Sequence, residues 1–344
     1  MHGVSESESA IVIQLSRTKA SFMVAVTCML LTAAASAQES RLRTLTYDAQ
    51  QEKWVEKPPP PVGTAEGDLH DIRTQIKQAK YAKALSGLKK FTRKYGDALV
   101  PQSLILKAEA LIAQRKYEKA HEVLQTFLAQ FSGMRLTAEA LRLEFEIAEN
   151  FLKGAKRKGF MLFRVSAVEL AYEILDEIAT DHPDSRLAEL AHKVKGDHLF
   201  LVGEHALAEI EYAQILRDYP QSRYHEFAMN RTAQAALASF GGVEYDEAAL
   251  IEAEERYNDY RVRYPASARR DGVDLILQSM VELQAEKDYG IAAYYERSDH
   301  PGAAIFYYRS VRDNWSDTVA AAKATARLEL LGVIEPAVAQ PPTP

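Results

Sequence analysis

The sequence predicts an all-α protein built from repeated pairs of helices. The 344 residues include only 16 glycines and are rich in Ala, Leu, Glu, Lys and Arg, which favour helix. The stretch Gly203–Ser222 carries apolar residues at helical spacing and ends at a proline that a helix cannot continue through. Its ending, an aromatic ring followed by Pro-x-Ser, occurs at His182–Ser185, Tyr219–Ser222 and Tyr264–Ser267.

The spacing inside this unit indicates the type of repeat. When Ala208 is taken as the small residue of the second helix, Gly196, Leu199, Tyr212 and Pro220 fall where the tetratricopeptide (TPR) pattern requires them. Extra residues between repeats emerge as loops, which a solenoid tolerates because each repeat contacts only its neighbours. The predicted fold is a TPR-like α-solenoid of about six helix-turn-helix repeats, with an unrelated all-helical bundle as the alternative.

Repeats one and two share one apolar pattern. In repeat one we expect helices over Asp68–Gln78 and Ala82–Tyr95. The residues that recur in the same register in repeat two are, in pairs, Tyr81 and Tyr117, Ala84 and Ala120, Leu88 and Leu124, and Phe91 and Phe127.

Repeats three to five continue this pattern with longer connections. Small or aromatic residues such as Ala148, Ala233 and Tyr257 lie at helical spacing on the inner side of each helix. The expected helices are Thr137–Leu152, Ser166–Asp181, Leu187–Val202, Tyr224–Phe240 and Glu247–Arg263.

Repeat six has a long first helix, Arg270–Arg297, then a break, and a second helix that ends at Asn314. Pro301 suits the first turn of that second helix, and Asp299 suits its N-cap. A last helix, Val319–Leu331, is expected to cap the array.

The N-terminus has the features of an export signal. Arg17 and Lys19 precede a mainly apolar run, and Ala35–Ala37 supplies a small-x-small cleavage site. We therefore predict a signal peptide over residues 1–37. Cys28, the only cysteine, is a candidate lipid anchor, although the residues before it suit a lipoprotein signal poorly.

Residues 38–65 are predicted to be an N-terminal extension with a Pro-rich linker, because Pro58–Pro61 favours a stiff polyproline segment. Within this extension, residues 43–47 and 52–55 form either a small hairpin or part of an extended tail. The solenoid should span residues 66–331, and the Pro- and Ala-rich residues 332–344 should be disordered.

An insertion, Lys153–Val165, separates the two helices of repeat three. Its cations directly precede an apolar run that has no repeat position to fill. It either contacts an anionic membrane or acidic partner, or folds back over the groove between repeats two and three. The candidate contact residues are Lys156, Arg157, Lys158, Phe160, Met161 and Phe163.

The sequence contains no recognisable catalytic or metal-binding motif. The nine histidines are scattered, and no HExxH motif, paired cysteines or Gly-rich phosphate loop occurs. We therefore predict no enzyme activity, no cofactor and no metal site. The net charge of −6 argues against general nucleic-acid binding, which needs a positive field.

Binding is the physical alternative, because stacked TPR hairpins form a groove lined by the first helix of each repeat. A plain helix face, part solvated and part packed on a neighbour, is the other interpretation of these positions. The groove-facing residues that the register predicts are Gln102, Ile105, Glu109 and Ile112 in repeat two, and Leu190, Lys193, Asp197 and Phe200 in repeat four.

The last repeats also resemble a known family. Gln284–Thr318 has a charged helix ending in Ala-Tyr-Tyr, a short break, Ala-Ala-Ile with aromatics, and an aromatic-Ser stop. This segment resembles the BamD family, the TPR component of the outer-membrane β-barrel assembly machinery. Members of that family are anchored through a lipidated N-terminal cysteine, and Cys28 is the candidate for that anchor in this sequence.

The resemblance implies a non-catalytic periplasmic scaffold at the inner face of the outer membrane. Its partners would be β-barrel assembly subunits or unfolded outer-membrane proteins, with peripheral membrane contact through the insertion. The alternative is a soluble periplasmic TPR adaptor for cell-envelope or peptidoglycan machinery.

Overall fold

The computed structural model describes residues 45–48, 53–56, 60–96, 99–155, 167–242 and 248–333. The chain divides into two compact units, Met1–His70 and Asp71–Pro344. The predicted signal peptide and nearly all of the predicted disordered tail lie outside the described residues, so these assignments stay predictions.

The first unit contains a short β-hairpin. Strands β1 (Leu45–Asp48) and β2 (Lys53–Glu56) pair antiparallel, with Leu45 opposite Glu56. Of the hairpin and the extended tail, the hairpin is therefore the form that occurs, with both strands beginning slightly later than predicted. Further along, the Thr64 hydroxyl accepts a hydrogen bond from the Gly67 N–H at 3.1 Å and caps the first helix.

All other regular structure in the described residues is helical, which confirms the all-α prediction for the body of the chain. The helices α3–α4, α5–α6, α7–α8, α9–α10 and α12–α13 pack as successive hairpins, and α14 packs on α12 and α13. In chain order the helices are α1 (Ala65–Lys77), α2 (Tyr81–Tyr95), α3 (Val100–Ala113), α4 (Tyr117–Phe131), α5 (Thr137–Leu152), α6 (Ala167–Asp181), α7 (Arg186–Leu201), α8 (His205–Asp218), α9 (His225–Ser239), α10 (Ala248–Arg263), α11 (Pro265–Arg270), α12 (Val273–Arg297), α13 (Pro301–Asn314) and α14 (Val319–Leu330).

Several of the described helix ends share one type of turn. At five helix ends in the described residues, one residue adopts a left-handed φ, and the next residue donates its N–H to a carbonyl near the end of the preceding helix, at 2.8 to 3.0 Å. This is the bonding of a Schellman motif, which satisfies carbonyls that the helix end leaves free. The left-handed residues are Ala79, Arg115, Gly154, Gly203 and Asp299.

Asp299 was predicted as the N-cap of α13, and this prediction is wrong. With a φ of 59°, Asp299 instead ends α12. The residue before α13 is His300, which makes no side-chain capping hydrogen bond, and Pro301 occupies the first turn as expected.

The long first helix of repeat six is also shorter than predicted. Pro265 begins a separate short helix, α11, and Gly272, with a φ of 71°, separates it from α12. Ser267 therefore lies inside α11, whereas Ser185 precedes α7 as its N-cap, and its hydroxyl accepts from the Leu187 N–H at 3.2 Å.

Gly196 allows the helices of repeat four to approach closely. A Cβ atom at this position would lie 2.9 Å from Cε1 of Tyr212 on α8, nearer than real Cβ contacts occur. Tyr212 is fully buried, and its hydroxyl donates to Oδ1 of Asp197 at 2.8 Å. The pairing of Gly196 with Tyr212 in the TPR register thus has a direct steric reason.

Candidate binding groove

The first helices of repeats two to five lie side by side in one layer. Helix α3 packs beside α5, and α5 packs beside α7. Side chains on α7 and α9 complete the layer, since Lys193 and Arg231 each lie over an aromatic ring of the other helix. This layer is the surface on which the sequence predicts a groove.

In repeat two the predicted groove residues divide into two pairs. Ile105 and Ile112 are only 4% and 7% exposed, because they pack in the core of repeats two to four. Gln102 and Glu109 are half-buried and remain accessible. Of the four groove residues predicted in repeat two, only the two polar ones are therefore accessible to a partner.

In repeat four all four predicted residues are half-buried. Leu190 packs against the core of repeats two to four, and Phe200 packs against the cluster around Tyr212. Lys193 and Asp197 lie between them and form an ion pair, with Nζ 2.6 Å from Oδ2.

One polar patch surrounds Glu109. It borders a cavity of about 400 Å³ that Ile112 and Leu143 also line. Burial, and then the nearby Glu139 carboxylate, raise the pKa of Glu109 above its ordinary value, although Arg142 opposes this shift. The patch thus combines a carboxylate that is costly to ionise with apolar walls.

Arg142 is the cation of this patch. Its guanidinium donates to Glu139 Oε1 at 2.9 Å and to Glu146 Oε2 at 3.3 Å. The Arg142 side chain is about half exposed although it contacts both glutamates of its own helix. Its guanidinium can therefore also bind a carboxylate or backbone carbonyl of a partner.

The second patch joins α7 to α9 through cations that lie on aromatic rings. Lys193 Nζ is 4.4 Å from the ring centroid of Phe227, and the Arg231 guanidinium is 4.9 Å from that of Phe200. The Asp197 carboxylate links this patch to the core, since it accepts hydrogen bonds from both Lys193 and the buried Tyr212. Aromatic faces beside accessible charges suit an extended peptide that has apolar and polar side chains.

Arg142, Phe227 and Arg231 are not among the groove residues predicted from the sequence. With Ala148 and Ala233 aligned on Gly196, however, Arg142 and Phe227 fall at the register position of Leu190. The same register, applied to repeats three and five, would have found both. Arg231 carries no such signal, because only the packing of α9 against α7 brings it to Phe200.

The insertion residues Lys156, Arg157, Lys158, Phe160, Met161 and Phe163, and the candidate lipid anchor Cys28, lie outside the described residues. Their assignments stay predictions.

Within the described ranges, no helix combines the length and apolar character that crossing a bilayer requires. In the same part of the chain, no group of three or more His, Cys, Asp or Glu side chains could hold a metal ion.

Solved structures of TPR proteins align with much of the chain at low similarity. A tetratricopeptide repeat protein from Parabacteroides merdae is 12% identical and covers 78% of this chain and 98% of its own, with a TM-score of 0.36. Pseudomonas aeruginosa PilF is 12% identical over 76% of this chain and 97% of its own, with a TM-score of 0.31. PilW, a type IV pilus biogenesis factor, is 14% identical over 77% of this chain and 100% of its own, with a TM-score of 0.30. No curated protein matches the chain.

The family match is more informative. The model of the YfiO family, described as outer membrane lipoprotein, matches residues 153–331, which is more than half of the chain. The match begins at the end of α5, extends to the end of α14, and includes Gln284–Thr318, the segment that carries the BamD resemblance. Such TPR proteins are generally non-catalytic scaffolds for protein interactions. The chain therefore belongs to the YfiO family of outer membrane lipoproteins, and it is a TPR-type scaffold of the cell envelope.

Proposed function

We propose that this protein is a BamD-like scaffold for the assembly of β-barrel proteins, acting without covalent chemistry on the periplasmic, inner face of the outer membrane. The observation that carries the proposal is the family match over residues 153–331, which runs from the end of α5 through repeats four to six and α14. Its partners are β-barrel assembly subunits or unfolded outer-membrane proteins.

The groove supplies the means of binding in this proposal. Its two patches, one around Glu109 and Arg142 and the other around Lys193, Phe227 and Arg231, offer charges of both signs next to apolar surface. A partner segment in extended form would place its own charged and aromatic side chains on these patches, and its backbone would lie along the first helices.

Cell fractionation and the mass of the mature N-terminus test the proposed location. A diacylated protein beginning at Cys28 in the outer-membrane fraction supports it. A soluble periplasmic protein that begins at Gln38 and does not co-purify with a β-barrel protein contradicts it and favours the soluble adaptor.

Site-specific photo-crosslinking tests the proposed binding surface. A photoreactive amino acid at Arg142 or Phe227 should crosslink to β-barrel proteins in cells. The matched control is Lys119, which is exposed on α4, outside the layer of first helices. Equal crosslinking from position 119 would exclude the groove as the specific surface.

The insertion has its own test. Phe160→Ser combined with Phe163→Ser should weaken membrane or partner association and leave the helical circular dichroism signal unchanged. Loss of the helical signal would instead assign these residues to the core and exclude a docking role.

A further inference from the structure

A second cavity, of about 270 Å³, lies between α4, α5 and α6. It is separate from the groove patches, because residues of α4 and α6, the second helices of repeats two and three, form much of its wall. Apolar side chains such as Leu141 and Ile174 line it together with the acidic residues Glu144, Glu177 and Asp181.

Glu144 is the unusual member of this cavity. Its residue is 1% exposed, and its Oε2 lies 2.8 Å from Nδ1 of His121. Its other oxygen, Oε1, has no hydrogen-bond partner among the described residues. A buried carboxylate oxygen without a donor is unfavourable, so a donor brought by a ligand would be bound strongly.

The remaining charges of the cavity also favour a cation. Gln125 donates from Nε2 to Glu177 Oε2 at 2.6 Å, which orients the Glu177 carboxylate at the wall. Asp181 adds a third carboxylate, and the imidazoles of His121 and His182 are the basic groups beside them. Carboxylates thus outnumber basic groups at this site.

Repeat four contains a second buried Glu–His pair, with the glutamate on its second helix, α8, and the histidine on its first helix, α7. Glu211 is 8% exposed, and its Oε2 lies 2.8 Å from Nδ1 of His192, which matches the Glu144–His121 distance. There, Oε1 is not free, because Nζ of Lys195 lies 2.8 Å away. Lys195 also contacts Asp176 at 2.6 Å. A lysine ammonium shared by two carboxylates therefore satisfies one Glu–His pair of this chain.

We propose that the cavity between α4, α5 and α6 binds the side-chain ammonium of a lysine from a partner protein, which donates to Oε1 of Glu144 and pairs with Glu177 or Asp181. A lysine fits better than a metal ion, because the Glu–His pair of repeat four is completed by an ammonium, and because no group of three or more His, Cys, Asp or Glu side chains in the described residues could hold a metal ion. The proposal rests on the proposed function only in that the lysine belongs to a bound protein.

The test is a titration of the full chain with Nα-acetyl-lysine-methylamide. Binding is monitored through the imidazole NMR signals of His121. We expect a saturable shift, and no saturable shift with the analogue whose side-chain nitrogen is acetylated and uncharged. Glu144→Gln should weaken binding at least about tenfold, and Glu177→Gln several-fold, because each removes a carboxylate from the cavity.

Glu122→Gln is the matched control. Glu122 is exposed on α4 beside His121 and does not line the cavity, so this variant removes the same charge near the reporter without touching the site. Its affinity for the probe should equal that of the wild type. If Glu144→Gln fails to fold, Glu177→Gln still tests the site, since Glu177 is exposed.

The proposal is overturned if the wild type shows no saturable shift, if the uncharged analogue binds equally well, or if Glu122→Gln weakens binding as much as Glu177→Gln. The assay uses only the purified chain and a small probe. Its failure would therefore leave the outer-membrane role standing, and failure of the fractionation test would leave this cavity untouched.

Discussion

At the scale of single residues, repeat four depends on a missing side chain. Gly196 lets α8 bring Tyr212 against the backbone of α7, and the Tyr212 hydroxyl then reaches Asp197, which also holds Lys193 in the groove. The absence of a side chain at Gly196 thus positions two charged side chains of the candidate binding surface, Asp197 and Lys193.

Gly196→Ala should therefore destabilise the protein by about 1–3 kcal/mol, because the added methyl group forces the Tyr212 ring to move. Gly290 on α12 is the matched control, since an added Cβ there meets nothing within 4 Å. Gly290→Ala should stabilise the protein by up to about 1 kcal/mol through helix propensity. Urea unfolding followed by circular dichroism measures both, and equal effects would contradict the steric argument.

The two buried Glu–His pairs should respond to pH in opposite ways. Burial acts to raise the pKa of Glu211, but hydrogen bonds from His192 and Lys195 outweigh it and hold the pKa below its ordinary value of 4.5. Ionised Glu211 thus stabilises the fold above pH 4.5, and this contribution is lost as the pH falls through the lowered pKa.

Glu144 has the opposite sign. Burial raises its pKa above 4.5 despite the hydrogen bond from His121. Although burial lowers the pKa of His121, the bond to Glu144 outweighs it and leaves this pKa raised. Both shifts stabilise the fold at low pH, and the stabilisation is lost as the pH rises through the raised values.

From these signs, the destabilisation by Glu211→Gln should grow between about pH 4 and pH 7, and that by Glu144→Gln should shrink. We expect the destabilisation by Glu211→Gln at pH 7, and that by Glu144→Gln at pH 4, to be about 1–3 kcal/mol, the cost of an unsatisfied buried group. Urea unfolding at both pH values measures the free energies. Parallel pH trends for the two variants would contradict the assignment.

At the scale of elements, α14 is held to repeat six by a cap from another helix. The Glu282 carboxylate on α12 accepts from the Val319 and Ala320 N–H groups at 3.0 and 3.1 Å. Thr318 adds a local cap, accepting from the Ala321 N–H at 3.1 Å. Glu282 thus both satisfies the start of α14 and ties it to its neighbour.

Glu282→Ala should lower the protection of the α14 amides against hydrogen exchange by about 1 kcal/mol, the usual value of an N-cap. Thr318→Ala should have a similar effect on the first turn of α14, but it should not loosen the contact with α12. If Glu282→Ala leaves exchange in α14 unchanged, the inter-helix cap contributes nothing measurable.

At the scale of the whole second unit, the core consists of separate clusters rather than one. One cluster joins α3 to α7 and includes Phe151, whereas another joins α12 to α14 and includes Val311. Because each repeat contacts only its neighbours, a loss of packing should stay local.

Phe151→Ala should cost about 3–5 kcal/mol and should reduce hydrogen-exchange protection in α3 to α6. Protection in α12 to α14 should change much less. Val311→Ala is the reciprocal control, since it should affect α12 to α14 first. Uniform loss of protection from either variant would show that the array unfolds as one cooperative unit.

Much of the helical body could be predicted from the sequence because its signals are local. The shared register of Ala84 and Ala120, or of Phe91 and Phe127, reflects positions that are fully or almost fully buried. Predictions failed where one backbone conformation decided the outcome, as at Asp299 and Gly272. For the groove, the register selected an accessible set in repeat four but included the buried Ile105 and Ile112 in repeat two.

The sequence by itself determined the fold class, the hairpin register and the positions that pack inside each repeat, since all of these follow from helical periodicity and nearest-neighbour stacking. Only the tertiary structure decided which groove positions remain accessible and which buried acids are fully paired. Lys195 reaches Glu211 from another helix, whereas Oε1 of Glu144 has no such donor among the described residues. These outcomes depend on the distances between helices, which residue spacing along the chain does not encode.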